Sequence, residues 1–493
     1  MNKIPTTLIA LLPLLTISIT ILIILLNITW KNNQTVNMYL TSIGLNLAIY
    51  FTKYCNQKIP IYIAPLITID KFSIFYTNLI LLGYLIINFS SHIWIKTILK
   101  NQRSEFYILL LISSIGSIIL CSSENFLTLF FGIEIISLTL FGIIGYNIPK
   151  GHNKSLEITT YYIILSIISS SFLIFGIALI YAYCGDLSFY NIKELLQHNT
   201  LLINHPMILI GVCMITIGIG FKLSLAPFHY LSPQIYQQSP SQHIIFITIN
   251  KITIFLATMR FFSHTLLIHN KTLCQLLISL ASISILLGTC MALKQKNIKK
   301  LLSYSSIATL GYLTISLTTI TPHYSLTIEG TGVYILGYLI ATIGVLNIIS
   351  IISKIYTTEK KTQKTHLTSF YKGLFWKHPY ISIAFTTFLL SLAGIPITIG
   401  FIGKLYIIML SIHNQIYWVT IITIIGTIIN MLYYIYIITI LYLPTKKTEK
   451  NKIIQFKHTN YYRNFIIIIF STLTTIFLGI YPKPLITILQ TIK

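Results

Sequence analysis

Apolar runs of about twenty residues follow one another almost from end to end of this 493-residue chain, with only short polar loops between them. A run of that length crosses a bilayer as a helix, because hydrocarbon offers no water and the backbone must satisfy its own N–H and C=O groups. No polar stretch is long enough to build a soluble domain. Composition agrees: 9% of the residues are charged, against about 25% in soluble domains. The fold class is an all-α polytopic membrane protein.

Hydropathy places fourteen spans at about 5–29, 37–54, 72–95, 106–122, 125–147, 156–183, 206–229, 240–263, 272–293, 298–320, 331–354, 379–411, 416–442 and 464–488. The first run, Ile4 to Ile28, is too long for a signal sequence and lacks a small-residue cleavage site, so it is read as a retained helix. The expected segments are N-terminal helices over 1–104, a first repeat over 105–265, a second over 270–443, and a loop with a last helix over 444–493.

The net charge of +24 would raise nucleic acid as a partner of a soluble chain. Here the positives fall mainly in alternate loops, among them Lys294 to Lys300, Lys360 to Lys377 and Lys446 to Arg463. That bias sets topology instead: those loops are expected to be cytoplasmic and both termini outward. No nucleic-acid partner is expected. Six cysteines are scattered without a C-x-x-C pair, so no metal or Fe–S ligation is expected. Neither G-x-G-x-x-G nor a P-loop occurs, so no nucleotide site is expected in the chain.

The informative stretch is GFKLSLAPFHYLSPQIYQQSPSQHIIFITINKITIF, Gly220 to Phe255. It starts in one apolar run and ends in the next, with a proline-rich break between. Each run holds one lysine, Lys222 and Lys251. A charge at bilayer centre costs about 2.5–3.5 kcal/mol on insertion scales, and ionisable groups kept there are functional by default. Glu134, deep in FLTLFFGIEIISLTLFG, is the acid of the fifth run. A carboxylate there needs a proton or a cation beside it; a packing role through one hydrogen bond is the alternative. Lys222 sits where burial and a nearby acid pull its proton affinity in opposite directions, as a proton carrier requires; snorkelling to the interface is the alternative. Lys251 lies too deep to snorkel. Lys404 follows a second proline break in LAGIPITIGFIGKLY.

The echo Leu223-Ser224-Leu225-Ala226 and Leu390-Ser391-Leu392-Ala393, each leading to a proline, suggests inverted repeats with broken helices seven and twelve. His229, Lys299, Tyr304 and Tyr161 are secondary candidates for a proton path. Structural hydrogen bonding or interfacial anchoring is the competing role for each.

FLTLFFGIEIISLTLFG, GFKLSLAPFHYLSPQIYQ, NIKKLLSYSSIATLGY and FLLSLAGIPITIGFIGKLY together resemble the subunit N family of proton-pumping NADH:quinone oxidoreductase, respiratory complex I, and its mitochondrial ND-type homologues. The likeness covers essentially the whole chain. It implies a fourteen-helix antiporter-like fold with discontinuous helices seven and twelve, and it assigns proton translocation to Glu134, Lys222, Lys251 and Lys404. It implies a subunit of an H+-translocating oxidoreductase in a cell inner membrane, or alternatively a mitochondrial one, assembled with other membrane-arm subunits in the lipid bilayer. NADH, FMN, Fe–S clusters and quinone are then bound by other subunits, and the chain itself holds no cofactor. Thr309 stands where many relatives have histidine, and Tyr161 where some have lysine. An Mrp-type or stand-alone cation/proton antiporter, or a non-pumping scaffold of the membrane arm, are the other readings.

Overall fold

The computed structural model describes residues 6–30, 33–56, 59–63, 65–98, 104–145, 153–198, 204–265, 267–320, 324–357, 367–444 and 462–492. Helices dominate them, as the apolar runs require. In chain order they are α1 (Thr6–Trp30), α2 (Gln34–Cys55), a hairpin of β1 (Ile61–Ile63) and β2 (Ile67–Ile69), α3 (Lys71–Ile98), α4 (Glu105–Cys121), α5 (Phe126–Gly145), α6 (Asn153–Cys184) and α7 (Phe189–His198). Then come α8 (Pro206–Leu223), α9 (Ser232–Gln238), α10 (Ser241–Thr265), α11 (Lys271–Leu293), α12 (Ile298–Leu317) and α13 (Tyr324–Thr357). The rest are α14 (Leu374–Lys377), α15 (Pro379–Ala393), α16 (Ile399–His413), α17 (Tyr417–Tyr442), α18 (Tyr462–Ile480) and α19 (Lys483–Gln490).

Ten helices among the described residues are long and apolar enough to cross a membrane. The other expected spans fall on α2, α4, α12 and the pair α15–α16. Three details differ from expectation. The seventh span ends at Leu223 rather than running to 229. The last expected helix is two, because Tyr481 and Pro482 interrupt α18 and α19. Proline lacks the N–H that a continuing helix needs. The hairpin and the amphipathic α7 lie in loops that the hydropathy reading left without structure. Most of the positive loops, including Lys100, Arg103, Lys150, Lys360 to Lys364 and Lys446 to Lys457, lie outside the described residues.

The chain divides into two compact units. One holds residues 1–223, 246–274 and 491–493; the other holds 224–245 and 275–490. In the first, α6 packs along α8, α4 along α5 and α1 along α2. The α6–α8 contact is close because of small residues: a Cβ on Gly176 would stand 2.5 Å from the Gly211 carbonyl oxygen. In the second, α13 packs against α15, α16 and α18.

Burial separates inner from lipid-facing helices. The most apolar stretch of α10 is wholly buried, and that of α13 nearly so. By contrast α1 and α18 expose Leu22, Leu26, Phe470 and Leu473, the surface that hydrocarbon covers. The buried α10 is also where the polar residues collect: Gln242, His243, Asn250, Lys251 and Arg260 are each almost fully enclosed.

Candidate functional site

Glu134 and Lys222, 88 residues apart in sequence, meet inside the first unit. Lys222 lies in the last turn of α8, and Glu134 is mid-way along α5. Lys222 Nζ stands 3.5 Å from Glu134 Oε1 and donates to Ser166 Oγ of α6 at 2.6 Å. The close α6–α8 packing carries Ser166 to that position. Ser137, one turn beyond Glu134, donates to Glu134 Oε2 at 3.1 Å. The lysine side chain is 2% exposed and the glutamate 25%. Snorkelling is therefore not what Lys222 does. Its ammonium is held inside the protein between an acid and a hydroxyl, and the acid keeps an open side.

Lys251 is buried in α10 of the same unit, next in sequence to Asn250. Asn250 Oδ1 accepts the Tyr84 hydroxyl of α3 at 2.6 Å.

Lys404 lies in the second unit, on α16 beyond the break. Its Nζ donates to the carbonyls of Leu392 and Ala393 at 2.9 and 2.8 Å. Those are the last carbonyls of α15, which have no partner within their own helix. The same ammonium lies 5.9 Å from the centre of the Tyr312 ring. A polar chain continues from there. Asn430 of α17 donates to the Tyr312 hydroxyl at 3.4 Å and accepts the Tyr433 hydroxyl at 2.6 Å. The hydropathy reading passed over these tyrosines. The signal was present as a doublet, Tyr433-Tyr434, three residues after Asn430 in an isoleucine-rich run.

The secondary candidates divide. His229 and Tyr304 face each other, ring centres 6.4 Å apart. Lys299 is no interfacial anchor: it is 3% exposed and donates to the Ser239 carbonyl at 2.7 Å, capping α9. Asn297 accepts the Lys299 backbone N–H as the N-cap of α12. Thr309 donates to the Ser306 carbonyl at 2.9 Å, one turn back in its own helix. Tyr161 is not brought to the Glu134–Lys222 pair; its ring is exposed on α6. The neighbouring Tyr162 is turned inward over Phe141. The helical turn, about 100° per residue, separates the two.

A second charged group in the first unit was not anticipated. Arg260, which the hydropathy reading includes near the end of the eighth span and gives no role, is 1% exposed inside α10. Its guanidinium donates to Asp70 Oδ1 at 3.1 Å, to the Cys121 carbonyl at 3.0 Å and to the Thr68 carbonyl at 3.2 Å. It also bonds the Thr68 hydroxyl and lies 3.4 Å from Glu124 Oε2. Glu124 Oε1 is 2.8 Å from His264 Nδ1. Burial would raise both acids. For Asp70 the Arg260 charge and hydrogen bonds from Ser73 and Arg260 outweigh it and hold the carboxyl below its usual range. For Glu124 His264 does most of that, with Arg260 and Thr68. These acids stay ionised at neutral pH. A cavity of about 600 Å³, lined by Asp70, Glu124, His264, Tyr190 and Lys193 among others, opens on this cluster. Among the described residues no three His, Cys, Asp or Glu side chains come together as a metal-binding group.

Residues 123–479 match the family model described as NADH:quinone oxidoreductase/Mrp antiporter, transmembrane. Solved membrane complexes share the fold. A chain of respiratory complex I from Thermus thermophilus is 23% identical with a TM-score of 0.77, covering 96% of this chain and 98% of that one. A chain of an archaeal membrane-bound sulfane sulfur reductase is 20% identical with a TM-score of 0.80, covering 99% and 97%. A chain of the Mrp complex from Dietzia sp. is 15% identical with a TM-score of 0.82, covering 98% and 97%.

Proposed function

From the premise that this chain belongs to the NADH:quinone oxidoreductase/Mrp antiporter transmembrane family, we propose that it is the subunit N-type proton translocator in the membrane arm of NADH:quinone oxidoreductase. The observation that carries the reading is the buried Lys222 ammonium held between Glu134 and Ser166. Two unit charges at that distance, at an effective dielectric of about 20, couple by several kcal/mol. Neutralising Glu134 therefore weakens the hold of Lys222 on its proton. Redox energy released in a peripheral arm alters the charge state of the pair. Lys222 then passes its proton toward Lys251, and Lys404 is the last carrier. NADH, FMN, Fe–S clusters and quinone stay with other subunits, and other membrane-arm subunits are the partners. The membrane is a cell inner membrane with both termini periplasmic.

The test is Lys222→Ala in the assembled complex, sealed in vesicles and driven by NADH. Protons moved per NADH oxidised should fall. Wild-type pumping at wild-type turnover would remove Lys222 from the path. The fold match to the Mrp complex supports a second reading, a cation/proton antiporter. Purification from native membranes separates the two: a flavin- and Fe–S-bearing arm comes with the first and not with the second. A scaffold role is the third, and it requires that alanine at Glu134, Lys222 and Lys404 together leave the proton-to-electron ratio unchanged.

A further inference from the structure

Lys404 is a buried lysine with no carboxylate beside it. Every ion pair among the described residues lies in the first unit, on Lys222, Arg260 or His264. A buried charge needs compensation, and an ammonium has three N–H groups to satisfy. The Leu392 and Ala393 carbonyls accept from Lys404. The same ammonium stands over the Tyr312 ring, 5.9 Å from its centre. Both side chains are buried. An aromatic face carries the negative part of the ring quadrupole and attracts a cation out to about 6 Å, more strongly where water is excluded.

The ring is fixed from two neighbouring helices. Its hydroxyl accepts from Asn430 at 3.4 Å, and Asn430 accepts the Tyr433 hydroxyl at 2.6 Å. Gly426, Asn430 and Tyr433 recur at spacings of four and three along α17, so they share one face of that helix. Gly426 makes room for the ring: a Cβ there would stand 2.5 Å from the Tyr312 hydroxyl oxygen. From α13 the Tyr334 ring meets the Tyr312 ring edge to face, at 87° with centres 6.3 Å apart. Gly403, next to Lys404, lets α13 come that near, since a Cβ on it would stand 2.7 Å from Tyr334 Cα. The hydroxyl of Tyr312 is thus engaged with α17 at the ring's edge, while the ammonium stands over the ring's face.

We propose that Tyr312 is a positioning residue for Lys404: its ring face, oriented by Asn430, Tyr433 and Tyr334, steadies the ammonium on the α15 carbonyls in place of a carboxylate. The substitution has a physical consequence. A carboxylate loses its hold on an ammonium when it takes up a proton itself, whereas the ring quadrupole stays the same. The ring therefore favours the charged lysine by a fixed amount and offers no competing site for the proton. Only the ring is needed for that, not the hydroxyl. The inference rests on the reading above, that Lys404 is a proton carrier.

The test is a series at residue 312 in the assembled complex, sealed in vesicles, driven by NADH and compared at equal amounts of complex. Tyr312→Phe keeps the ring and should retain most of the pumping rate. Tyr312→Leu removes it and should lower that rate about twofold or more. A loss in Tyr312→Phe as large as in Tyr312→Leu would make the hydroxyl the working group and overturn the proposal. If Tyr312→Leu does not assemble, phenylalanine bearing one, two or three ring fluorines in place of Tyr312 decides. Fluorine draws electron density from the ring face and changes the ring's shape little, so pumping should fall stepwise as fluorines are added. A flat series sinks the proposal. Lys222→Ala keeps the two claims apart. Pumping lost there alongside a flat fluorine series rejects the role of the ring alone, while pumping unchanged there rejects the translocation reading.

Discussion

At the break after α8, Lys222 comes before the interruption and meets an acid and a hydroxyl. At the break between α15 and α16, Lys404 comes after it and meets two backbone carbonyls. Both lysines are buried, and both sit where a membrane helix stops and leaves backbone groups to be satisfied. Their partners differ in one respect that matters for proton transfer. A carboxylate can be neutralised, and when it is, the proton on the neighbouring lysine is held less firmly. A carbonyl cannot. Lys222 is therefore adjustable by its partner, while Lys404 sees a constant field from the α15 C-terminus, where the helix dipole favours a cation.

The largest expected effect tests that difference. Lys404→Ala removes the donor to Leu392 O and Ala393 O. Each buried carbonyl left unpaired costs about 1–3 kcal/mol. Lys222→Ala leaves Glu134 hydrogen-bonded to Ser137, with its side chain 25% exposed. Thermal unfolding of the purified complex should thus show a larger loss for Lys404→Ala than for Lys222→Ala. Equal losses would mean that the two lysines are held alike.

The two breaks were legible in the sequence to different degrees. Pro227 and Pro396 announced interruptions, and both are present. The echo of Leu-Ser-Leu-Ala precedes both, yet the two helices do not end at the same point of it. The left-handed residue that ends the first helix is Ser224, inside the echo, whereas the second helix continues through Ser391 and ends on Gly394. The offset has a cause in the chain: glycine takes a positive φ readily and permits the turn where it stands, so the second helix runs on until it finds one. Hydropathy found the helices, because burial of apolar surface decides them. It gave Arg260 no role because its partners, Asp70 and Glu124, are 190 and 136 residues away and no local pattern ties them to it. Glu134 and Lys222 were legible because a charge inside an apolar run is conspicuous without knowing its partner.

Gly394→Ala gives the next effect in size. Gly394 has φ +82°, and a Cβ there would stand 2.7 Å from Lys404 Cδ and 3.2 Å from its Nζ. The substitution strains the backbone by about 1–2 kcal/mol and displaces the ammonium from its carbonyls. The expected outcome is a lower unfolding temperature together with reduced pumping. A fall in stability with pumping intact would show that the seat of Lys404 is not needed for transfer.

The smallest effect has the opposite sign. Ser224 adopts φ +56°, a conformation that costs a non-glycine residue roughly 1 kcal/mol. Ser224→Gly removes that cost but widens the unfolded ensemble, since glycine has more backbone freedom to lose. The two contributions nearly cancel, so the unfolding temperature should change little or rise slightly. Pumping should be unchanged, because Lys222 is held by α5 and α6 rather than by the turn. If Ser224→Gly lowered pumping while leaving stability alone, the turn itself would be tuning Lys222. The first break would then owe its adjustable lysine to backbone geometry as well as to Glu134, and the contrast with Lys404 would narrow.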